Sequence, residues 1–176
     1  MEIHVTRRIE APVETVWKII GEEYAQVGEW GSAVLASKPR AGTPKVAGAP
    51  VAGRICETSL GPFTEAIEAY DARRHTLTYS ATGDKMPGFM KGLQNTWKLR
   101  SLGANATEAT MTLSADIAFP MNILMGWMMK MQFKKASTET VDDLQYFAET
   151  GRVSERKRKI DESSKAVDAR KAFLAA

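Results

Sequence analysis

Residues 119–150 read FPMNILMGWMMKMQFKKASTETVDDLQYFAET, the longest helical pattern in a chain whose earlier segments read as short strands. Residues at three- and four-residue spacing (Ile123, Gly126, Phe133, Ser137, Val141, Leu144, Phe147) predict one stripe along its whole length, with Lys130 the misfit. A long helix after a run of strands is expected to be gripped by the sheet those strands form, because neither element buries its apolar face alone. The first half carries a second apolar face, Met121, Leu124, Met125, Met128 and Met131, roughly opposite the first. That face needs its own cover: the first helices or the tail, a cavity that flexible thioethers line, or a partner or membrane surface.

Working back from the helix, the strands are marked by alternation. Thr107 to Ala118 puts Ala109, Met111, Leu113, Ala115 and Ile117 on one face, and Leu93 to Ser101 does the same with Leu93, Asn95, Trp97 and Leu99. His75 to Ala81 is a further strand. Between it and Leu93 lies a glycine-bounded loop, GDKMPGFMKG, that is apolar for a connection through Met86, Phe89 and Met90. Arg54 to Thr58 and Phe63 to Tyr70 are joined by SLGP, a hairpin signal. Ala33 to Ser37 precedes a Pro/Gly/Ala-rich loop expected to be exposed and mobile. At the front, Glu2 to Glu10 alternates as a half-buried strand. Ala11-Pro12 opens a helix with Val13, Val16, Trp17 and Ile20 on its apolar face and Gly21 as its stop, and residues 22–31 allow a second short helix.

At 176 residues, 44% hydrophobic and 26% charged, the chain reads as one soluble domain, residues 1–150, followed by an extension, residues 151–176. Eight of the 24 Lys/Arg and four of the 21 Asp/Glu fall from Gly151 onward, so the net +3 divides into +4 there and −1 before it. The basic character belongs to the extension, which is a weak footing for nucleic-acid binding. Its sparse apolar residues make no steady stripe and point to a partly helical or disordered, frayed or loosely docked tail. A single cysteine, Cys56, excludes an internal disulfide. The first residues carry no signal-peptide pattern, and the apolar run from Phe119 is too short to span a bilayer, so a cytoplasmic protein is expected.

The order of elements, with EAPVETVWKII at the front, GRICETSLGPFTEAIEAYD as an Arg/Glu hairpin, and LTYS followed by a Trp strand NTWKLR, resembles the START-related (SRPBCC) helix-grip superfamily. That superfamily includes polyketide cyclases and birch-pollen-allergen proteins, and the resemblance covers about residues 2–150. It implies an α+β helix-grip fold: a curved seven-stranded antiparallel sheet around a long C-terminal helix, with an apolar cavity between them. It also implies binding of a small hydrophobic ligand of lipid, polyketide or aromatic type. Some members are cyclases or aromatases, and the family has no universal catalytic residue to carry over.

If the SLGP turn joins their strands, positions whose numbers sum to an odd value of about 119 to 121 face each other, and Arg54 shares a face with Cys56, Phe63, Glu65 and Ile67. If that face is inner, Arg54 and Glu65 must pair, because an unpaired buried charge is costly; a rim ion pair is the alternative. Trp30, Leu77, Tyr79, Phe89, Asn95 and Trp97 are cavity candidates or core filler, joined by Ile67, Leu124 and Met128. The expected activity is ligand binding or transport, with Glu65, Arg54 and Asn95 orienting the ligand. The enzymatic alternative uses Glu65 as general acid/base on a polyketide-like substrate. A third reading is an adaptor that uses the basic tail and methionine face at a membrane. His4 and His75 lack partners at metal-ligand spacing, and no phosphate or dinucleotide motif occurs, so neither metal nor cofactor is expected. His75 is read as exposed, and the Asp142-Asp143 pair as a solvated helix face. A monomer and a homodimer are equally compatible with the sequence.

Overall fold

The computed structural model describes residues 1–175; Ala176, the last residue of the extension, lies outside the described residues. Strand β1 (Glu2–Ile9) buries Ile3, Val5 and Ile9, as its alternation requires. Helix α1 (Val13–Trp17) starts after Pro12 and, instead of stopping at Gly21, runs into a π-helical turn over Lys18–Glu22. A 3-10 turn, Tyr24–Gln26, and α2 (Val27–Trp30) follow. Six strands come next: β2 (Val34–Pro39), β3 (Gly53–Thr58), β4 (Gly61–Asp71), β5 (Thr76–Gly83), β6 (Met90–Gly103) and β7 (Ala106–Ile117). Helices α3 (Met121–Leu124), α4 (Gly126–Thr150), α5 (Glu155–Asp161) and α6 (Ser164–Ala175) complete the order.

The strands form one seven-stranded sheet in the order β1-β7-β6-β5-β4-β3-β2, every neighbouring pair antiparallel. The first strand thus lies beside the last, with Ile3 opposite Leu113 and Val5 opposite Met111. All six apolar residues of β7 are buried, as are Asn95, Trp97 and Leu99 of β6, which gives the sheet its continuous apolar face. Residues 40–52 form no strand or helix, yet Val46, Ala49 and Val51 tuck against the core.

The long helix differs from expectation at its front. It breaks at Met125, whose φ is −123°, just before Gly126, a poor helix former. The break resets the helical phase, so Ile123 no longer continues the line through Phe133 and is exposed. The rear of the stripe holds: Ser137, Val141 and Leu144 are buried where α4 packs on β1 and β7. Arg7 of β1 donates to Asp142 of α4 at 2.9 Å, and Glu149 accepts from the Glu10 amide at 2.9 Å. Gly151, with φ +66°, ends the helix in the left-handed conformation that glycine adopts without side-chain strain.

The extension is firmly held, by polar groups that leave no apolar stripe. Asp143, read from sequence as solvated, is instead buried. It accepts from the Ser32 amide (2.9 Å), the Ser154 hydroxyl (2.6 Å) and Arg156 (3.3 Å). Lys157 of α5 is fully buried, its ammonium donating to the Val34 carbonyl (2.9 Å) and to Asp161 (2.8 Å). Arg170 of α6 donates to the Leu35 carbonyl (3.0 Å) and to Asp161 (2.7 Å). These contacts fasten α5 and α6 along the edge strand β2. His75 is also not free in solvent: it lies edge-on to Trp17 and within 3.1 Å of Glu14.

Candidate functional site

Between the concave sheet and α4 lies a cavity of about 460 Å³. The sheet supplies Arg54 and Cys56 from β3, Glu65 from β4, Tyr79 from β5, and Asn95 and Trp97 from β6. The front helices add Ile20, Tyr24, Val27 and Trp30, and α4 adds Phe133, Ala136, Ser137 and Thr140. Leu60 and Phe63 of the β3–β4 hairpin reach it from one side. Arg156 and Ile160, one helical turn apart on α5, close another.

The charged centre is built by register. Arg54 pairs directly with Glu65 across β3 and β4, as the hairpin turn requires. The two strands approach closely at the neighbouring position: a Cβ on Gly53 would fall 2.0 Å from the Glu65 carbonyl oxygen, so only glycine fits there. Arg54 Nε donates to Glu65 Oε2 at 2.6 Å, and the Tyr24 hydroxyl donates to the same oxygen at 2.7 Å. Arg54 Nη1 donates to the Tyr24 carbonyl at 2.7 Å. The pair is therefore buried within the wall, not a rim contact.

Electrostatics follow from that burial. Burial opposes charge on Arg54, but the adjacent Glu65 carboxylate more than compensates and raises the guanidinium pKa well above its ordinary value. Burial, with the Glu65 charge adding to it, pushes the Tyr79 phenol up, and burial likewise raises Tyr24, partly opposed by Arg54. Cys56 is pushed up to about 12 by burial, so it is a thiol at neutral pH and a poor nucleophile.

Three buried polar atoms in the wall have no hydrogen-bond partner among the described residues: Trp30 Nε1, Asn95 Oδ1 and Ser137 Oγ. Buried polar groups are ordinarily satisfied, so three orphans around one apolar space are unused hydrogen-bonding capacity concentrated in its wall. Among the described residues, no group of three or more His, Cys, Asp or Glu could hold a metal ion.

Of the residues singled out from sequence, Trp30, Arg54, Glu65, Tyr79, Asn95 and Trp97 line this cavity. Ile67 and Leu77 are buried in the core and do not line it. Phe89 is half-buried in the β5–β6 loop, and its carbonyl accepts from the Ala118 amide. Met128 is half-buried and also outside the wall, whereas Leu124 points to solvent because of the break at Met125. The sequence reading missed Tyr24, which no periodicity separates from its helical neighbours. It took Ser137 for part of the packing stripe, and it gave no role to Arg156 or Ile160.

A family model described as polyketide cyclase / dehydrase and lipid transport matches residues 1–149. The chain belongs to this family. The polyketide cyclase / dehydrase and lipid transport match ends one residue before the end of α4, so Arg156 and Ile160 enter the cavity from outside the family region. No curated protein matches the chain. Among solved structures, XoxI from Bacillus cereus is similar at 16% identity and TM-score 0.65, over 82% of this chain and 93% of that one. A START superfamily protein from Mycobacterium smegmatis is similar at 18% identity and TM-score 0.59, over 86% and 96%. The Zhui aromatase/cyclase from a Streptomyces species is similar at 12% identity and TM-score 0.66, over 85% and 93%. These likenesses establish the START-like helix-grip fold.

Proposed function

We propose that the protein binds a small, mostly apolar molecule bearing a few polar atoms in the cavity between sheet and helix. The observation that carries this reading is the placement of Trp30 Nε1, Asn95 Oδ1 and Ser137 Oγ, unpartnered and buried, around an otherwise apolar wall. Removing apolar ligand surface from water supplies most of the affinity, about 25 cal/mol per Å² before binding costs. The three polar atoms then fix orientation: Trp30 Nε1 can only donate, Asn95 Oδ1 can only accept, and the Ser137 hydroxyl can do either. The test is titration of delipidated protein with an environment-sensitive apolar dye. The wild type gives a blue-shifted, saturable signal, and Leu93→Trp, which fills the wall from a half-buried position, removes it. No shift with wild-type protein would overturn the reading.

A second reading, cyclase or aromatase chemistry with Glu65 as general acid/base, draws support from the family description and from Glu65 lying in the wall. Against it, Glu65 Oε2 already accepts from both Arg54 and Tyr24. That geometry suits an anchoring carboxylate better than one that cycles a proton. Glu65→Gln separates the two by turnover and affinity: an enzyme loses turnover and keeps binding, whereas a binding protein loses affinity, and the stability loss is common to both.

A further inference from the structure

The apolar residues around the helix break stand in solvent. Phe119, Ile123, Leu124, Trp127 and Met131 are each between 60% and 77% exposed, although all are large hydrophobics within thirteen consecutive residues. Clustered exposure of this kind marks an interaction surface, where scattered single residues would not. Lys130, Lys134 and Lys135 are exposed on the same helix. Trp127, Lys130, Met131 and Lys134 stand at positions i, i+3, i+4 and i+7, so aromatic, aliphatic and cationic groups share one ridge. From Ala118 to Thr138 there is no aspartate or glutamate.

We propose that this ridge docks the protein on an anionic lipid bilayer, with Leu124 and Trp127 entering the headgroup–acyl boundary and the three lysines meeting lipid phosphates. Three observations choose this occupant. The exposed apolar residues and the lysines share one stretch without an acid, so burial of apolar area and attraction to anionic lipid add at the same surface. A second copy docking by twofold symmetry would set the same lysines against each other, with no acid in the segment to relieve them. Tryptophan suits the headgroup level, where its ring is buried and its N–H stays wet. The helix lies on the membrane and does not cross it, since no helix is long and apolar enough to span. The basic extension takes no part, being fastened along β2. The proposal stands apart from the cavity reading, although Phe133, two residues beyond Met131, lines the cavity.

The test uses the full chain with phosphatidylcholine vesicles, alone or with roughly a third phosphatidylserine, read by co-sedimentation and tryptophan emission. The expected result is association with the anionic vesicles and a blue shift that Trp127→Phe abolishes, the other tryptophans being buried already. Leu124→Ser with Trp127→Ser should remove association without moving the urea midpoint. Replacing Lys130, Lys134 and Lys135 by alanine should weaken association by about fivefold per lysine. Three results would overturn the proposal. One is no association with anionic vesicles. Another is equal association with neutral ones. The third is a concentration-dependent dimer, abolished by the serine pair, in protein that ignores vesicles.

Discussion

The Arg54 guanidinium lies 4.1 Å above the centre of the Tyr24 ring while donating to the Tyr24 carbonyl at 2.7 Å. Tyr24 thus grips Arg54 from two sides and also donates to its counter-ion, Glu65. The three side chains form a closed unit. Glu65→Gln should therefore lower stability by about 3 kcal/mol, because it leaves a buried guanidinium without its charge partner. Urea denaturation measures this, and the double variant Arg54→Met/Glu65→Leu should lose less than Glu65→Gln alone.

Asn95 and Ser137 predict opposite signs for stability and binding. Each holds a buried oxygen without a partner among the described residues. Replacing Asn95 by leucine or Ser137 by alanine removes that desolvation and should raise stability by about 1 kcal/mol. The same changes should weaken binding of whatever polar ligand occupies the cavity. Thermal unfolding and dye competition, run on the same variants, read the two effects separately.

The buried thiol and phenols make the fold sensitive to alkali. Cys56 keeps its proton to about 12 in the native state, against 9.0 ordinarily. Between those values the unfolded chain has released a proton that the folded chain retains, so stability falls as pH rises through the window. Tyr24 and Tyr79, both raised, act in the same direction above their ordinary value of 10.0. Lys157, lowered mainly by burial, acts oppositely, gaining with pH toward 10.5. From Cys56 alone the loss at pH 10 is about 1 kcal/mol. Urea midpoints at pH 8 and pH 10 should differ accordingly, and Cys56→Ala should reduce the difference.

Asp143 predicts the behaviour of the extension. Asp143→Ala removes the acceptor shared by the Ser32 amide, Ser154 and Arg156. Destabilisation of about 2 kcal/mol or more is expected from the buried donors left unpaired. Release of α5 and α6 by trypsin at the exposed Arg152 should accelerate well before the rest of the chain is cut.

Much of the sheet was legible because its rule is local. Alternation assigns the inner faces of β6 and β7, and the SLGP turn puts Arg54 and Glu65 on one face, where the register makes them direct partners. The helix stripe was legible only behind Met125, since a break that resets phase leaves no trace in a three-four pattern drawn through it. Asp143, Lys157 and Arg170 were illegible for another reason. Their partners are single carbonyls and amides far away in sequence, and hydrogen bonds to backbone carry no periodicity. Tyr24 reaches Glu65 only because the π turn and the 3-10 turn redirect the chain ahead of α2.

Strand β2 ends the sheet, and an unpaired strand is a template for another chain's backbone. Here side chains stand where a neighbouring strand would be: Lys157 and Arg170 donate to the carbonyls of Val34 and Leu35, and α6 lies along the same border. The cover is made of charged groups that discourage further stacking. The two helices, the first of which also closes one side of the cavity, therefore act as a guard against aggregation. A chain that lost its grip on β2 would become adhesive as well as open.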